Sequence, residues 1–215
     1  MATIGDLNGA SSILSNPSIF GARAVNFRQE NSTAITKTAS GRTIRSAVAT
    51  TIWRASIELT TYTQANFKQL QGFAALARGA LNEFNVQLPG VSERSVTTTP
   101  GTITCLENYD VGSTSVDTSM ASINASDNFK VLSMGDVIKF SNHNKVYMVT
   151  SDVIPDSGGD VQINFEPALV TAVTNSTTVT IDNVPFRMYF TSDLQEYQYN
   201  VDGTVNYRID VAEAV

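Results

Sequence analysis

The sequence predicts a mainly β protein with a single α-helix, and three patterns carry that expectation. Trp53, Ala55, Ile57 and Leu59 alternate with Arg54, Ser56, Glu58 and Thr60, the period of two that marks a strand with one buried face. Directly afterwards Phe67, Leu70, Ala74, Ala77 and Leu81 recur at steps of three and four, the stripe of an amphipathic helix. From Asn128 onward the apolar runs are short, are separated by turn formers and carry no helical period, which points to a small sandwich or barrel.

Taken in chain order, residues 1–21 are small and polar, with Gly5, Gly9, Pro17 and Gly21, and read as an arm that becomes ordered only against a neighbour. Residues 32–38 and 42–50, rich in Thr, Ile, Val and Ala, flank Ser40-Gly41 as a hairpin, although other loop lengths fit the same residues. The helix is expected over residues 63–83. Thr61 and Gln64 fit a capping box, in which the threonine oxygen accepts an orphan amide N–H and the glutamine reaches back. Gly72 and Gly79 each weaken an isolated helix by up to ~1 kcal/mol relative to Ala, so the helix is expected to depend on packing against the Trp53 strand. Phe84, Val86 and Leu88 alternate up to the stop at Pro89-Gly90.

Residues 91–127 are rich in Thr and Ser, with a turn at Pro100-Gly101, and a boundary is placed near residue 96. Strands are then expected at 128–133, 136–140, 145–150, 160–165, 177–181 and 185–191. Val205, Tyr207, Ile209 and Val211, separated by Asn206, Arg208 and Asp210, form a last one-face strand that returns to the first domain. The expected organisation is an arm over 1–21, a first domain over 22–96 completed by 201–215, and a small β-barrel over 97–200.

Composition narrows the function. Hydrophobic residues make up 42% of the chain and charged residues 16%, against about 25% charged in an ordinary domain, so the surface leans on Thr, Ser, Asn and Gln. Fourteen basic against 20 acidic residues give a net charge of −6, which argues against a surface built to neutralise phosphates. Cys105 is the lone cysteine; it has no disulfide partner and reads as a small buried hydrophobe in a chain made in a reducing compartment. The opening residues have neither a basic n-region nor a long apolar run, so neither a signal peptide nor a membrane span is expected. Without a secretory signal the sequons at Asn31, Asn124 and Asn175 are chance products of composition, and the protein is expected to be soluble and cytoplasmic when made.

Several residues could carry chemistry, and none is expected to. Asp156-Ser157-Gly158-Gly159-Asp160 resembles a serine-protease signature, yet the single histidine, His143, lies only fourteen positions before Ser157, too close for the order such a site uses. A Gly-Gly hairpin loop is the simpler reading. His143 sits in Ser141-Asn142-His143-Asn144, a run of turn formers, and reads as an exposed turn with no second ligand for a metal. Asp152, Asp156 and Asp160 recur every four residues, which is not EF-hand spacing, and read as a solvated loop. There is no P-loop, dinucleotide fingerprint or zinc-binding pair. Tyr197 and Tyr199 share a strand face, suited to subunit packing or to stacking on a base or sugar. Neither catalytic residues, nor a cofactor, nor a metal site is expected.

The order of elements carries a resemblance. Ile52-Trp53-Arg54-Ala55-Ser56-Ile57-Glu58-Leu59 leads into the helix and then Leu88-Pro89-Gly90; Met134-Gly135-Asp136-Val137-Ile138-Lys139-Phe140 precedes Lys145-Val146-Tyr147-Met148-Val149-Thr150; Asn164-Phe165-Glu166-Pro167-Ala168-Leu169 and Val184-Pro185-Phe186-Arg187-Met188 follow. Over residues 22–215 this resembles the distal tail proteins of tailed bacteriophages. The resemblance implies a tail-tube-like β-sandwich with one helix that forms a ring at the end of the tube, with a second barrel like an oligonucleotide/oligosaccharide-binding fold projecting from it. It brings no catalytic residues.

The expectation is therefore a virion structural protein, made in the host cytoplasm and located in the phage tail. It forms a homohexameric ring that joins the tail tube to the baseplate hub or fibres, and DNA passes through its lumen without specific binding. Three alternatives stand beside it. One is another tail subunit such as a tube, neck or fibre adaptor. The second is a carbohydrate-binding module using Trp53 or Tyr197 and Tyr199, and the third is a hydrolase using Ser157.

Overall fold

Trp53 and its period-two partners form the face on which the first half of the protein is built. A computed structural model describes residues 3–8, 21–47, 50–59, 62–97, 101–121, 130–156 and 158–215. In chain order the strands before the helix are β1 (Thr3–Asp6), β2 (Ala22–Glu30), β3 (Thr33–Lys37), β4 (Thr43–Ala47), β5 (Ile52–Leu59) and β6 (Tyr62–Thr63). The helix α1 spans Gln64–Ala77. After it come β7 (Glu83–Val86), β8 (Ile103–Cys105), β9 (Ser115–Met120), β10 (Val137–Phe140), β11 (Val146–Val149) and β12 (Asp160–Glu166). The last are β13 (Thr178–Thr180), β14 (Phe186–Phe190), β15 (Gln198–Tyr199), β16 (Thr204–Asn206) and β17 (Arg208–Glu213). Among the described residues the protein is mainly β with one helix, as the sequence predicts.

A six-stranded sheet runs in the order β1-β7-β14-β17-β5-β2. The expected one-face strands lie at its centre: Ile209 opposes Ile57 and Val211 opposes Ala55, and Trp53, Ala55, Ile57, Leu59, Ile209 and Val211 are all buried. The C-terminal strand β17 thus returns to the first sheet, while Val205, expected on the same strand, lies on β16 and pairs with Tyr62 of β6. Across the apolar face lies α1, burying Phe67, Leu70, Phe73, Ala74 and Ala77. Phe73 meets Phe84 edge-on at 4.9 Å and Phe67 meets Tyr207 at 5.6 Å. Each large apolar side chain buried this way contributes about 1.5–3 kcal/mol, which holds a helix containing Gly72. A small sheet of order β15-β16-β6 stands beside the helix.

The helix ends earlier than residue 83. Arg78 and Gly79 adopt left-handed φ values of 53° and 63°, Arg78 donates its N–H to the Ala75 carbonyl at 3.3 Å, and Leu81, expected on the apolar stripe, is exposed. Gly79 is therefore a helix-terminating residue, the position at which a left-handed glycine closes the last turn. At the other end Thr63 is extended and makes no side-chain cap bond, so Gln64 opens the helix instead of completing a capping box; Thr61 lies outside the described residues.

Residues 3–8 do not wait for a neighbour. β1 runs parallel to β7, Leu7 is fully buried in the first core, and Asn8 exchanges two hydrogen bonds with the Gln87 backbone at 2.7 and 2.8 Å. Residues 9–20, the rest of the expected arm, lie outside the described residues. The expected hairpin forms as β3 and β4, paired from Thr33↔Ala47 to Lys37↔Thr43.

The second core is a closed barrel, β10-β11-β12-β9-β8-β13, with β13 pairing back onto β10. Closure removes its strand edges. Two of its strands, β8 and β9, fall in the Thr/Ser-rich stretch for which the sequence predicts no particular strand. Residues 185–191, read with the barrel, form β14 in the six-stranded sheet, between β7 and β17. Phe186, Met188 and Phe190 therefore serve the first core.

The two glycines of the helical pattern are expected to respond oppositely to alanine. A Cβ at Gly72 meets no atom within 4 Å, and Gly72→Ala is expected to stabilise by about 0.5–1 kcal/mol. A Cβ at Gly79 falls 2.8 Å from Asp193 Cα at a left-handed φ, and Gly79→Ala is expected to destabilise by about 1–2 kcal/mol. Denaturant titration of both variants checks the signs.

Candidate functional site

With no reactive constellation in view, the candidate site is the surface the fold leaves without a partner. The six-stranded sheet has two margins. β2 pairs with β5 on one side and β1 with β7 on one side, and among the described residues neither has a strand on its outer side. An unpaired margin presents a row of backbone donors and acceptors. Phe27 of β2 stacks on Trp53 at 5.1 Å with planes 21° apart and meets Phe186 edge-on at 5.7 Å, so the margin is held flat against the core.

From the end of β2 the β3–β4 ribbon projects, and every residue of both strands is exposed, Ile35 at 63% and Ile44 at 51%. Its turn is well made: Thr38 N–H donates to the Arg42 carbonyl at 2.9 Å, Gly41 N–H donates to the Thr38 carbonyl at 2.9 Å, and Gly41 takes φ 80°. Its root is clasped by Thr51 Oγ1 donating to Asn31 Oδ1 at 2.7 Å.

The root is also tied to the barrel. Lys145, at the entry to β11, donates its Nζ to the Thr51 carbonyl at 2.6 Å and forms an ion pair with Glu213 at the end of β17; both side chains are without solvent exposure. Glu213 additionally accepts Val146 N–H at 2.8 Å and Trp53 N–H at 3.3 Å, and Trp53 Nε1–H donates to the Val146 carbonyl at 2.7 Å. Burial pushes the Lys145 ammonium down and the Glu213 carboxyl up, and each partner opposes the shift of the other. A second set of bonds joins the connecting chains: Val184 N–H to the Ser92 carbonyl at 3.0 Å, and Ser95 N–H to Asp136 Oδ1 at 3.0 Å. Asp136 Oδ2 also accepts Ser133 N–H at 2.8 Å, which explains the Gly-Asp pair in the string before β10.

On the face of the sheet away from the helix, Arg54 pairs with Glu30, Arg187 with Glu83 and Arg208 with Asp210. A groove of about 630 Å³ there is lined by Arg23, Glu58, Glu196, Arg208 and Asp210, among others. Its charges of both signs favour no ionic ligand.

The residues singled out from sequence are dispersed and occupied. His143 is in the expected turn but is half-buried, not exposed: it stacks on Phe140 at 5.8 Å. Asn142 Oδ1, which can only accept, lies 2.7 Å from Nδ1, so Nδ1 carries the proton. Nε2 then accepts from Tyr147 O–H at 2.7 Å, and Tyr147 Oη accepts Val170 N–H at 3.2 Å. Burial, aided by the Lys139 cation, pushes the imidazole from 6.5 down to about 4. Ser157 lies outside the described residues; Asp156 and Asp160 close the loop around it, Asp156 N–H donating to the Asp160 carbonyl at 3.0 Å. Asp152 accepts Met134 N–H and Lys130 Nζ. Among the described residues no three His, Cys, Asp or Glu side chains are grouped to hold a metal ion.

Cys105 is buried, its thiol pushed up to about 11 by burial. Trp53, proposed above as a sugar-stacking platform, is 1% exposed and offers no ring face. Tyr197 and Tyr199 both pack edge-on against Phe67, at 5.2 and 6.1 Å, on the molecule's own helix, with Tyr199 still 51% exposed. No helix among the described residues is long and apolar enough to cross a membrane. Sequence reading missed the Lys145–Glu213 pair; its partners lie 68 positions apart, and no local pattern marks either.

Residues 110–184 match the family model described as distal tail protein pb9, B domain. The match covers most of the barrel and about a third of the chain, and supports a phage distal tail protein family. It supports a structural protein of the phage tail. No curated protein matches the chain.

Two measurements test the site's geometry. Glu213→Gln leaves the Lys145 ammonium buried and unpaired and is expected to cost about 3–5 kcal/mol in denaturant unfolding; adding Lys145→Met is expected to recover most of it, because the glutamine oxygen still accepts Val146 N–H. The histidine is expected to titrate by NMR with a midpoint near 4. Because the folded value lies below the unfolded 6.5, the unfolded chain takes up the proton first, and His143 makes the fold lose stability as pH falls from about 6.5 to 4. His143→Gln is expected to flatten that part of the pH–stability curve.

Proposed function

We propose that this protein is a virion structural subunit that forms a homohexameric ring at the distal end of a phage tail and joins the tail tube to the baseplate hub or fibres. The carrying observation is that the distal tail protein match over 110–184 occurs in a chain whose other half is a sheet with, among the described residues, two open margins. In this reading the six-stranded sheet with α1, which takes in β1 and β14 as well as β2, β5, β7 and β17, is the tube-like domain, and the barrel of β8 to β13 projects from it.

The margins suit a ring. β2 has nine residues and pairs antiparallel with its neighbour, whereas β1 has four and pairs parallel. A margin at each end of one sheet allows the repeated head-to-tail contact of a cyclic ring, β2 of one copy meeting β1 of the next. The net charge of −6 fits a lumen through which DNA passes without being held. The chain acts through surfaces, with neither a catalytic residue nor a cofactor.

Native mass spectrometry and negative-stain imaging of the purified chain, alone and mixed with tube and hub proteins, test this. Closed rings of six copies are expected. A chain that stays monomeric in every mixture overturns the reading.

A further inference from the structure

A two-stranded ribbon with all its side chains in solvent is marginal on its own, and the β3–β4 ribbon gains nothing from the core it leaves behind. Its register assigns its faces. Ile35 opposes Arg45 and Lys37 opposes Thr43, so Ile35, Lys37 and Arg45 share one side, an apolar centre flanked by two cations. Arg42 adds a third at the turn, and residues 31–47 contain no acidic residue.

The rest of the chain has the opposite bias. Residues 101–181 hold nine acidic and three basic residues, and the three cations are engaged: Lys145 with Glu213, Lys139 with the Pro185 carbonyl at 3.3 Å, and Lys130 with Asp152 at 3.3 Å. On the outer wall of the barrel, Asp160 and Glu166 are exposed on β12, and Asp117 on the adjoining β9 opposes Gln162. These outward positions carry three carboxylates and no cation, over the roughly 20 Å that seven strand residues span.

We propose that the β3–β4 ribbon docks through its Ile35, Lys37 and Arg45 face onto the β9–β12 wall of the barrel in a second copy of the chain. This rests on the assembly reading above and names the contact. The ribbon's own barrel is not its target, because Lys145 and Asn31 fix the ribbon's root and every residue of both ribbon strands is left exposed. Nucleic acid fits less well: three cations around an isoleucine are few beside the six to ten phosphate contacts that give duplex binding its strength.

The test places a photo-crosslinking amino acid at Ile35 in the full chain and, in parallel, reverses charge with Lys37→Glu and Arg45→Glu. Crosslinks are expected to residues 115–119 and 160–166 of another copy. Charge reversal is expected to weaken self-association about 10-fold or more at low salt, with less effect in 1 M salt, where charges are screened within ~3 Å. Adding Asp160→Lys and Glu166→Lys to the reversed chain is expected to restore assembly, and an unchanged unfolding midpoint shows that the ribbon variants still fold. Crosslinks to the six-stranded sheet or α1 of another copy, or assembly indifferent to charge reversal, overturn the docking site and leave the ring reading standing. A chain that never self-associates, even with tube and hub proteins present, overturns both. Retention of a duplex DNA fragment that the same reversal abolishes identifies a nucleic acid partner and also overturns it.

Discussion

Lys145 and Glu213 meet out of solvent where the barrel touches the six-stranded sheet, and the placement of every outward-facing surface follows from that contact. Removing two charges from water costs several kcal/mol per ion, and attraction offsets the cost only when the remaining donors and acceptors are satisfied. Here they are: the ammonium has Glu213 and the Thr51 carbonyl, and the carboxylate has the ammonium, Val146 N–H and Trp53 N–H. The bonds come from β5, β11, β17 and the root of the ribbon. A small sliding of barrel on sheet strands a buried charge, so the junction has one good arrangement. A wholly apolar contact between the same faces tolerates many.

That rigidity gives meaning to the surfaces that remain open. The barrel closes on itself and can offer neighbours only side chains, whereas the sheet ends in β1 and β2 and offers backbone. The two halves of the chain thus present different kinds of contact. The sheet's other face is knitted by the exposed pairs Arg54–Glu30 and Arg208–Asp210, of a type that contributes about 0–1 kcal/mol each, and by the more enclosed Arg187–Glu83, and together they keep that face polar. The apolar surface is spent on the helix side, against α1 and Trp53, and unmet backbone is left at the margins.

Where one physical pattern was sufficient, the sequence was legible. Trp53 to Leu59 fell where expected because its apolar positions all face one core, and Ile209 and Val211 followed on β17; the expected last strand is broken at Tyr207, however, so that Val205 lies on β16 of the small sheet. The helix was right in kind and too long, since steps of three and four from Ala74 through Ala77 to Leu81 cross Gly79 without a break; periodicity does not register a left-handed φ, and only the approach of Asp193 shows why glycine is needed there. β9 was hidden because Thr118 occupies one of its inward positions and Ser and Asp fill the outward ones. Residues 185–191 were read as a strand but given to the wrong sheet, since a strand's own pattern does not specify its neighbour. The open surface was the least legible part: exposure of β3 and β4 is a property of what fails to cover them, and Thr, Ile and Ala in alternation look the same on a buried hairpin.

The same limit explains why the chemically suggestive residues misled. His143 and Asp156 lie in runs of turn formers, and turn formers are also the residues from which sites are made. What separates the two is whether the hydrogen-bonding capacity is already used. His143 has both ring nitrogens engaged, by Asn142 and Tyr147, and Asp156 Oδ1 accepts the N–H groups of Gly158 and Asp160 at 2.8 and 3.0 Å. An imidazole so occupied has no ring nitrogen left for a substrate, and Asp156 is committed to holding the turn it closes. The ribbon is the reverse case: its residue types suggest nothing, yet its faces are unmet, and unmet surface is where this fold has free energy still to gain.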